Sequence, residues 1–157
     1  MRIAKTLLVL VATLGVGLAW AQGTPASNME ILKEKVRADK KLVVAVNTQL
    51  TDSEAEAFWP VYDAYQAELA QINERVRSLL SDYAAAYRTN TLDDAGARKL
   101  IDESLAIEQA EVALKKAYVP KLMAVLPAKK AARYLQIENK IRALGKYELA
   151  AAVPLAE

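Results

Sequence analysis

TDSEAEAFWPVYDAYQAELAQINERVRSLLSDYAAAYRTN, residues 51–90, decides the fold. Apolar or aromatic side chains fall at Phe58, Tyr62, Tyr65, Leu69, Ile72, Val76, Leu79, Tyr83 and Tyr87, in alternating steps of four and three until the last. A seam with this 3.5-residue period must face a partner helix. The partner is the next stretch, residues 91–126, once the chain turns at Asn90–Thr91. The fold class is therefore all-α: about four helices built around a long, proline-kinked antiparallel helical hairpin, Thr51 to Leu126. Pro60 and Pro120 lie 30 residues before and 30 after Asn90. Each removes a backbone hydrogen bond and crowds the preceding turn, so both are expected to kink their helices at one level and bend the hairpin.

Within the hairpin, Thr51 and Glu54 form a capping box at the start of the second helix. Asp52, Glu54 and Glu56 place negative charge at its positive end. Thr91 is expected to cap the third helix, with Asp93 and Asp94 in its first turn. The apolar face of that helix includes Ala97, Ile101, Leu105, Val112, Val119, Leu122 and Leu126, widened by Leu100, Ile107 and Leu114. A face this broad points to contact with more than one neighbour.

Upstream, Arg2 and Lys5 precede an apolar run from Leu7 to Leu18, and Ala19-Trp20-Ala21 supplies small residues for cleavage. Residues 1–21 read as a signal peptide cleaved after Ala21, which places the protein in the periplasm without stable membrane insertion. Residues 22–26 read as a flexible lead, and residues 27–145 as a single helical domain. Ser27 and Glu30 make a capping box for a first helix whose stripe is Met29, Leu32, Val36, Val43 and Val46. Asp39 interrupts the stripe and is expected to reach solvent. Asn47-Thr48-Gln49 ends that helix. Downstream, Pro127 opens a fourth helix with the stripe Tyr134, Ile137, Ile141 and Leu144. Gly145 is the expected stop, leaving residues 146–157 as a tail with at most a further helical turn or two.

The chain has 21 basic and 19 acidic residues. Loss of Arg2 and Lys5 with the signal leaves 19 of each, so charge gives no attraction to nucleic acid. Zero cysteine means that stability comes from packing or association rather than disulfides. Zero histidine removes the usual general base and the commonest metal ligand. Glu103, Glu108 and Glu111 read as a solvated helix face, with Lys115 a partner for Glu111. Tyr62, Tyr65, Tyr83 and Tyr87 sit at helical spacing and read as packing, some at an edge. No enzyme, cofactor or metal is expected.

Charge is unevenly placed. Asp52, Glu54, Glu56, Asp63, Glu68 and Glu74 occupy 51–74 without a base. Lys115, Lys116, Lys121, Lys129, Lys130, Arg133, Lys140, Arg142 and Lys146 occupy 115–146 against the one acid Glu138. Two readings follow: charge complementarity inside the hairpin, each exposed pair giving ~0.2–1 kcal/mol, or a basic working surface.

Leu50-Thr51-Asp52-Ser53-Glu54 opens a long helix in an exported, cysteine-free helical chain. In this the sequence resembles the LTXXQ-motif periplasmic proteins, the Spy/CpxP-like group, over roughly residues 27–144. Leu126-Pro127-Ala128-Lys129-Lys130 stands where a second copy of the motif would be. Glu54 replaces the motif glutamine, while Pro127 and Lys130 replace threonine and glutamine in the second copy. The resemblance implies a bent four-helix protomer, often paired as an antiparallel cradle. It also implies ATP-independent chaperone action or modulation of an envelope-stress sensor. On this basis the chain is expected to bind proteins, unfolded clients or an envelope receptor, with a homodimer as a further assembly. A purely structural helical module is the alternative. Tyr118, Lys121, Lys129, Lys130 and Arg133 are the expected protein-binding residues, and Thr51 and Glu54 the motif caps.

Overall fold

A computed structural model describes residues 25–156; the expected signal peptide, 1–21, lies outside them. The fold is all-α, with helices α1 (Pro25–Thr48), α2 (Asp52–Thr89), α3 (Asp94–Val125) and α4 (Ala128–Ala152). α2 and α3 pack along each other, α1 packs against α4, and α4 also touches α3. Both pairs are antiparallel. Arg75 meets Glu103 and Tyr65 meets Tyr118 across the hairpin, while Lys40 meets Glu138 and Asn47 meets Arg133 across α1 and α4.

The seam of α2 delivers its first five members to the core: Phe58, Tyr62, Tyr65, Leu69 and Ile72 are buried. They meet Ile107, Leu114, Tyr118 and Leu122 of α3, Tyr134 and Ile141 of α4, and Val43 and Val44 of α1. Burial fades toward the hairpin tip, where Tyr87 is 39 % exposed.

Local chemistry explains the ends. The amide of Glu54 donates to Thr51 Oγ1 at 3.3 Å and the Thr51 amide donates to Glu54 Oε2 at 2.7 Å, so the expected capping box forms. Asn90 closes α2 in the left-handed region (φ 49°), with the Thr91 amide donating back to Ala86 O at 3.0 Å. That use of the Thr91 backbone in closing α2 moves the next cap on. Asp93, not Thr91, caps α3, accepting from the Gly96 amide at 2.7 Å. α1 begins at Pro25, so Ser27 lies inside the helix rather than capping it. Gln49, also left-handed (φ 57°), follows the end of α1.

Both long helices run unbroken through their prolines, and Pro60 and Pro120 face solvent. A separate interruption, with non-helical backbone, falls at Asp39 (φ −162°, ψ 98°). Its carboxylate accepts the Leu42 amide at 2.9 Å and so starts a new helical segment. Asp39 is exposed, as expected, but the break resets the helical phase. Val43, Val44 and Thr48 turn inward while Val46 is 67 % exposed, so the single stripe expected through Val46 does not hold.

The apolar face of α3 is also reassigned. Ile101, Leu105 and Val112 are 59, 52 and 51 % exposed, because the α2 seam takes the face carrying Ile107, Leu114 and Tyr118. Nor does Gly145 end α4, which continues to Ala152 before Tyr83 donates to Pro154 O at 2.9 Å. A Cβ at Gly145 would meet nothing within 4 Å. Gly145→Ala is therefore expected to stabilise the fold by about 0.5–1 kcal/mol, through helix propensity. A lower urea midpoint than wild type would show that α4 needs glycine there.

Candidate functional site

The expected binding residues divide into two groups. Tyr118 is withdrawn from the surface: it is 1 % exposed, its ring 5.3 Å from that of Tyr65, and its hydroxyl donates to Glu68 Oε1. That carboxylate, together with burial, pushes the Tyr118 phenol up to about 12. Lys130 is spent on Glu54, and that pairing is the leading cause holding the Glu54 carboxyl below its usual range. Arg133 donates through Nε to Asn47 O and through Nη1 to Gln49 Oε1 at 3.2 Å, so it anchors the end of α1. Lys121 and Lys129 remain outward, Lys121 with its Nζ 4.0 Å from the Tyr118 ring centroid.

Two consequences follow. The segments Leu50–Glu54 and Leu126–Lys130, each opening a helix, are joined in space by the Glu54–Lys130 pair. Much of the basic run also serves internal complementarity. Arg142 pairs with Glu111 and reaches Asn73 Oδ1 at 3.3 Å, while Lys115 reaches Asn139 Oδ1 at 2.9 Å. Burial lowers the Arg142 pKa from its ordinary value. Lys115 is thus not the partner of Glu111, which is a buried residue rather than part of a solvated face.

A second buried polar centre lies beneath α1. The Glu138 side chain is fully buried; Lys40 Nζ donates to its Oε1 at 2.6 Å and Gln66 Nε2 to its Oε2 at 3.3 Å. Around it stand Tyr62, Tyr65 and Tyr134. Burial first, then the Glu138 charge, pushes Tyr62 and Tyr65 up to about 12 and Tyr134 higher. These phenols stay neutral at any physiological pH. The Tyr65 hydroxyl is buried with no hydrogen-bond partner among the described residues. Among the described residues no cluster of three His, Cys, Asp or Glu side chains could hold a metal ion. No described helix is long and apolar enough to cross a membrane.

Sequence reasoning overlooked a groove. Between α2, α3 and α4 lies a recess of about 450 Å³. Leu69, Val76, Leu79, Leu80, Ile107 and Ile141 form its apolar lining, and Lys40, Arg142 and Lys146 contribute cationic side chains. The recess falls where the expected stripe of α4 continues past Gly145 to Leu149, so reading Gly145 as a stop hid it. Lys146, 57 % exposed, stands 3.8 Å from Glu108 and 3.7 Å from Glu111, leaving a mixed-charge rim over an apolar interior. Such a recess can hold an apolar side chain or short segment while the rim meets polar backbone or charge.

Comparison of the chain with protein-family models, curated proteins and solved structures finds no match.

Proposed function

We propose that the protein is a periplasmic protein-binding helical protein that holds partly unfolded clients without ATP. The observation that carries this reading is the open apolar recess between α2, α3 and α4 with Lys40, Arg142 and Lys146 around it. An apolar segment exposed by an unfolding client can bury its side chains there, while the exposed rim charges Lys146 and Glu108 meet varied flanking residues. Contacts of this sort are weak and tolerant of sequence. The Leu50–Glu54 and Leu126–Lys130 segments support a distant relationship to the LTXXQ-motif proteins, and the basic and apolar run at the amino terminus supports export.

The test is light scattering from an aggregating, chemically unfolded client at low salt. The purified protein in several-fold molar excess is expected to suppress scattering. Leu149→Lys, which introduces charge at a recess residue already 36 % exposed, should weaken that suppression without lowering the unfolding midpoint. Unchanged scattering with the wild-type protein would sink the proposal. A single saturable partner in a crosslinking pull-down would instead identify docking on one envelope receptor.

A further inference from the structure

A row of polar and basic side chains runs along one side of α4. Lys129, Arg133, Gln136 and Lys140 are exposed and follow one another by four, three and four residues. At 100° per residue this keeps them within about 60° of one another over about 16 Å of helix. Among the described residues none of the three cations has a carboxylate partner. Arg133 is fixed in place by Asn47 O and by Gln49 Oε1 at 3.2 Å. Two adjoining hollows of about 400 and 540 Å³ share Arg133 and Gln136 as walls and follow the seam between α1 and α4. Val43, Asn47, Thr48 and Gln49 close the α1 side of this trough, and no acidic side chain of the described residues lines it.

Beside the trough, α1 presents a second row. Leu42 and Val46 are 58 and 67 % exposed and lie one residue round the helix from Val43 and Asn47 of the trough wall. Both stand about 160° round α1 from the buried Val44, while Lys129 and Lys140 stand about 160–180° round α4 from the buried Glu138. An apolar row and a basic row therefore face away from the core on neighbouring antiparallel helices. Asp39, the acid nearest Leu42 in the chain, is turned to the Leu42 amide. We infer that this α1–α4 face docks on an anionic phospholipid surface. Headgroup phosphates enter the trough among Lys129, Arg133 and Lys140, and Leu42 and Val46 enter the boundary with the acyl chains. A bilayer offers phosphate and hydrocarbon side by side at any spacing, which suits three unevenly spaced cations beside two aliphatic side chains. An acidic protein surface would answer the basic row alone and leave Leu42 and Val46 against polar groups. Arg142 and Leu149, which line the recess, lie about 160–180° round α4 from Arg133, so the docked protein keeps the recess turned away from the lipid.

Flotation of the purified protein with lipid vesicles is the test. At low salt the protein is expected to rise with vesicles of equal parts phosphatidylglycerol and phosphatidylcholine, and to stay behind with phosphatidylcholine alone. Raising the salt about tenfold should release much of it. Lys129→Gln with Lys140→Gln should weaken partitioning by about tenfold or more. Lys99→Gln with Lys116→Gln removes the same charge from exposed positions on α3 and should change partitioning by less than about twofold. Leu42→Gln with Val46→Gln should also weaken it while the circular dichroism stays unchanged, because both side chains are exposed. No flotation with the anionic vesicles overturns the inference and leaves the trough to an acidic protein. Equal losses in the two lysine pairs overturn it as well, since net charge rather than this face would then be responsible. Release by inorganic phosphate beyond that by chloride at the same ionic strength would assign the trough to free phosphate and overturn docking on a membrane.

Discussion

Lys40→Met is expected to cost about 3–5 kcal/mol of stability, as removal of one partner from a buried ion pair does. Glu138 has no access to solvent, and among the described residues Lys40 supplies its one cation, at 2.6 Å. Gln66, the other polar contact, donates at 3.3 Å and carries no charge. Methionine keeps most of the aliphatic stem of Lys40 and removes the ammonium, leaving the carboxylate in an apolar, tyrosine-lined setting. The double variant Lys40→Met with Glu138→Leu should recover most of the loss, because replacing both partners removes the uncompensated charge together with the pair. Urea unfolding followed by circular dichroism measures all three. A loss below about 1 kcal/mol in Lys40→Met, the range of an exposed pair, would mean that Glu138 finds water or another donor.

The hairpin was legible because one signal, the 3.5-residue seam from Phe58 onward, agreed with the caps at both ends of α2. Thr51 and Glu54 cap as their spacing requires, and Asn90 takes the left-handed conformation that asparagine tolerates. Expectations failed where local and tertiary effects compete. Asp39 was read for its exposure alone, whereas its short carboxylate competes for a neighbouring amide and opens a new helical segment. Gly145 was read as a stop, but the chain past it returns toward α2 and the helix persists.

The candidate site was less legible for a different reason. Periodicity marks which residues are apolar, not which of two apolar faces the neighbour will take. Both Ile101–Leu105–Val112 and Ile107–Leu114–Tyr118 satisfy the period of α3, and only the three-dimensional register of α2 separates them. Charge runs have the same weakness. The basic run admitted two readings, internal complementarity or a working surface, and Lys130, Arg133 and Arg142 each find a separate internal acceptor on α2, α3 or the end of α1. Of the five expected binding residues, Lys121 and Lys129 stay outward while Tyr118, Lys130 and Arg133 are engaged internally, and this moves attention to the recess. Sequence reasoning had the means to find α3's second face, since its breadth had suggested more than one neighbour.

Tyr134→Ala is expected to destabilise the protein by about 3–5 kcal/mol, the range for emptying the site of a large buried ring. Tyr134 is wholly buried and serves as a hub: its ring lies edge-on to Phe58 at 5.1 Å, Tyr62 at 6.0 Å and Tyr65 at 6.3 Å. Aromatic pairs of this geometry add about 0.5–1.5 kcal/mol each beyond burial. The hydroxyl contributes little, since Gln66 Nε2 approaches only to 3.5 Å. Tyr134→Phe should therefore lose less than about 1 kcal/mol, at the low end for a hydrogen bond, and the contrast assigns the effect to packing. The loss should also be regional. α1 holds chiefly to α4, and Tyr134 is where α4 grips α2. In hydrogen exchange, the amides of α1 and α4 should lose protection together in Tyr134→Ala while those of the α2–α3 hairpin keep more of theirs. Uniform loss across all four helices would mean that the hairpin has no stability of its own apart from α4.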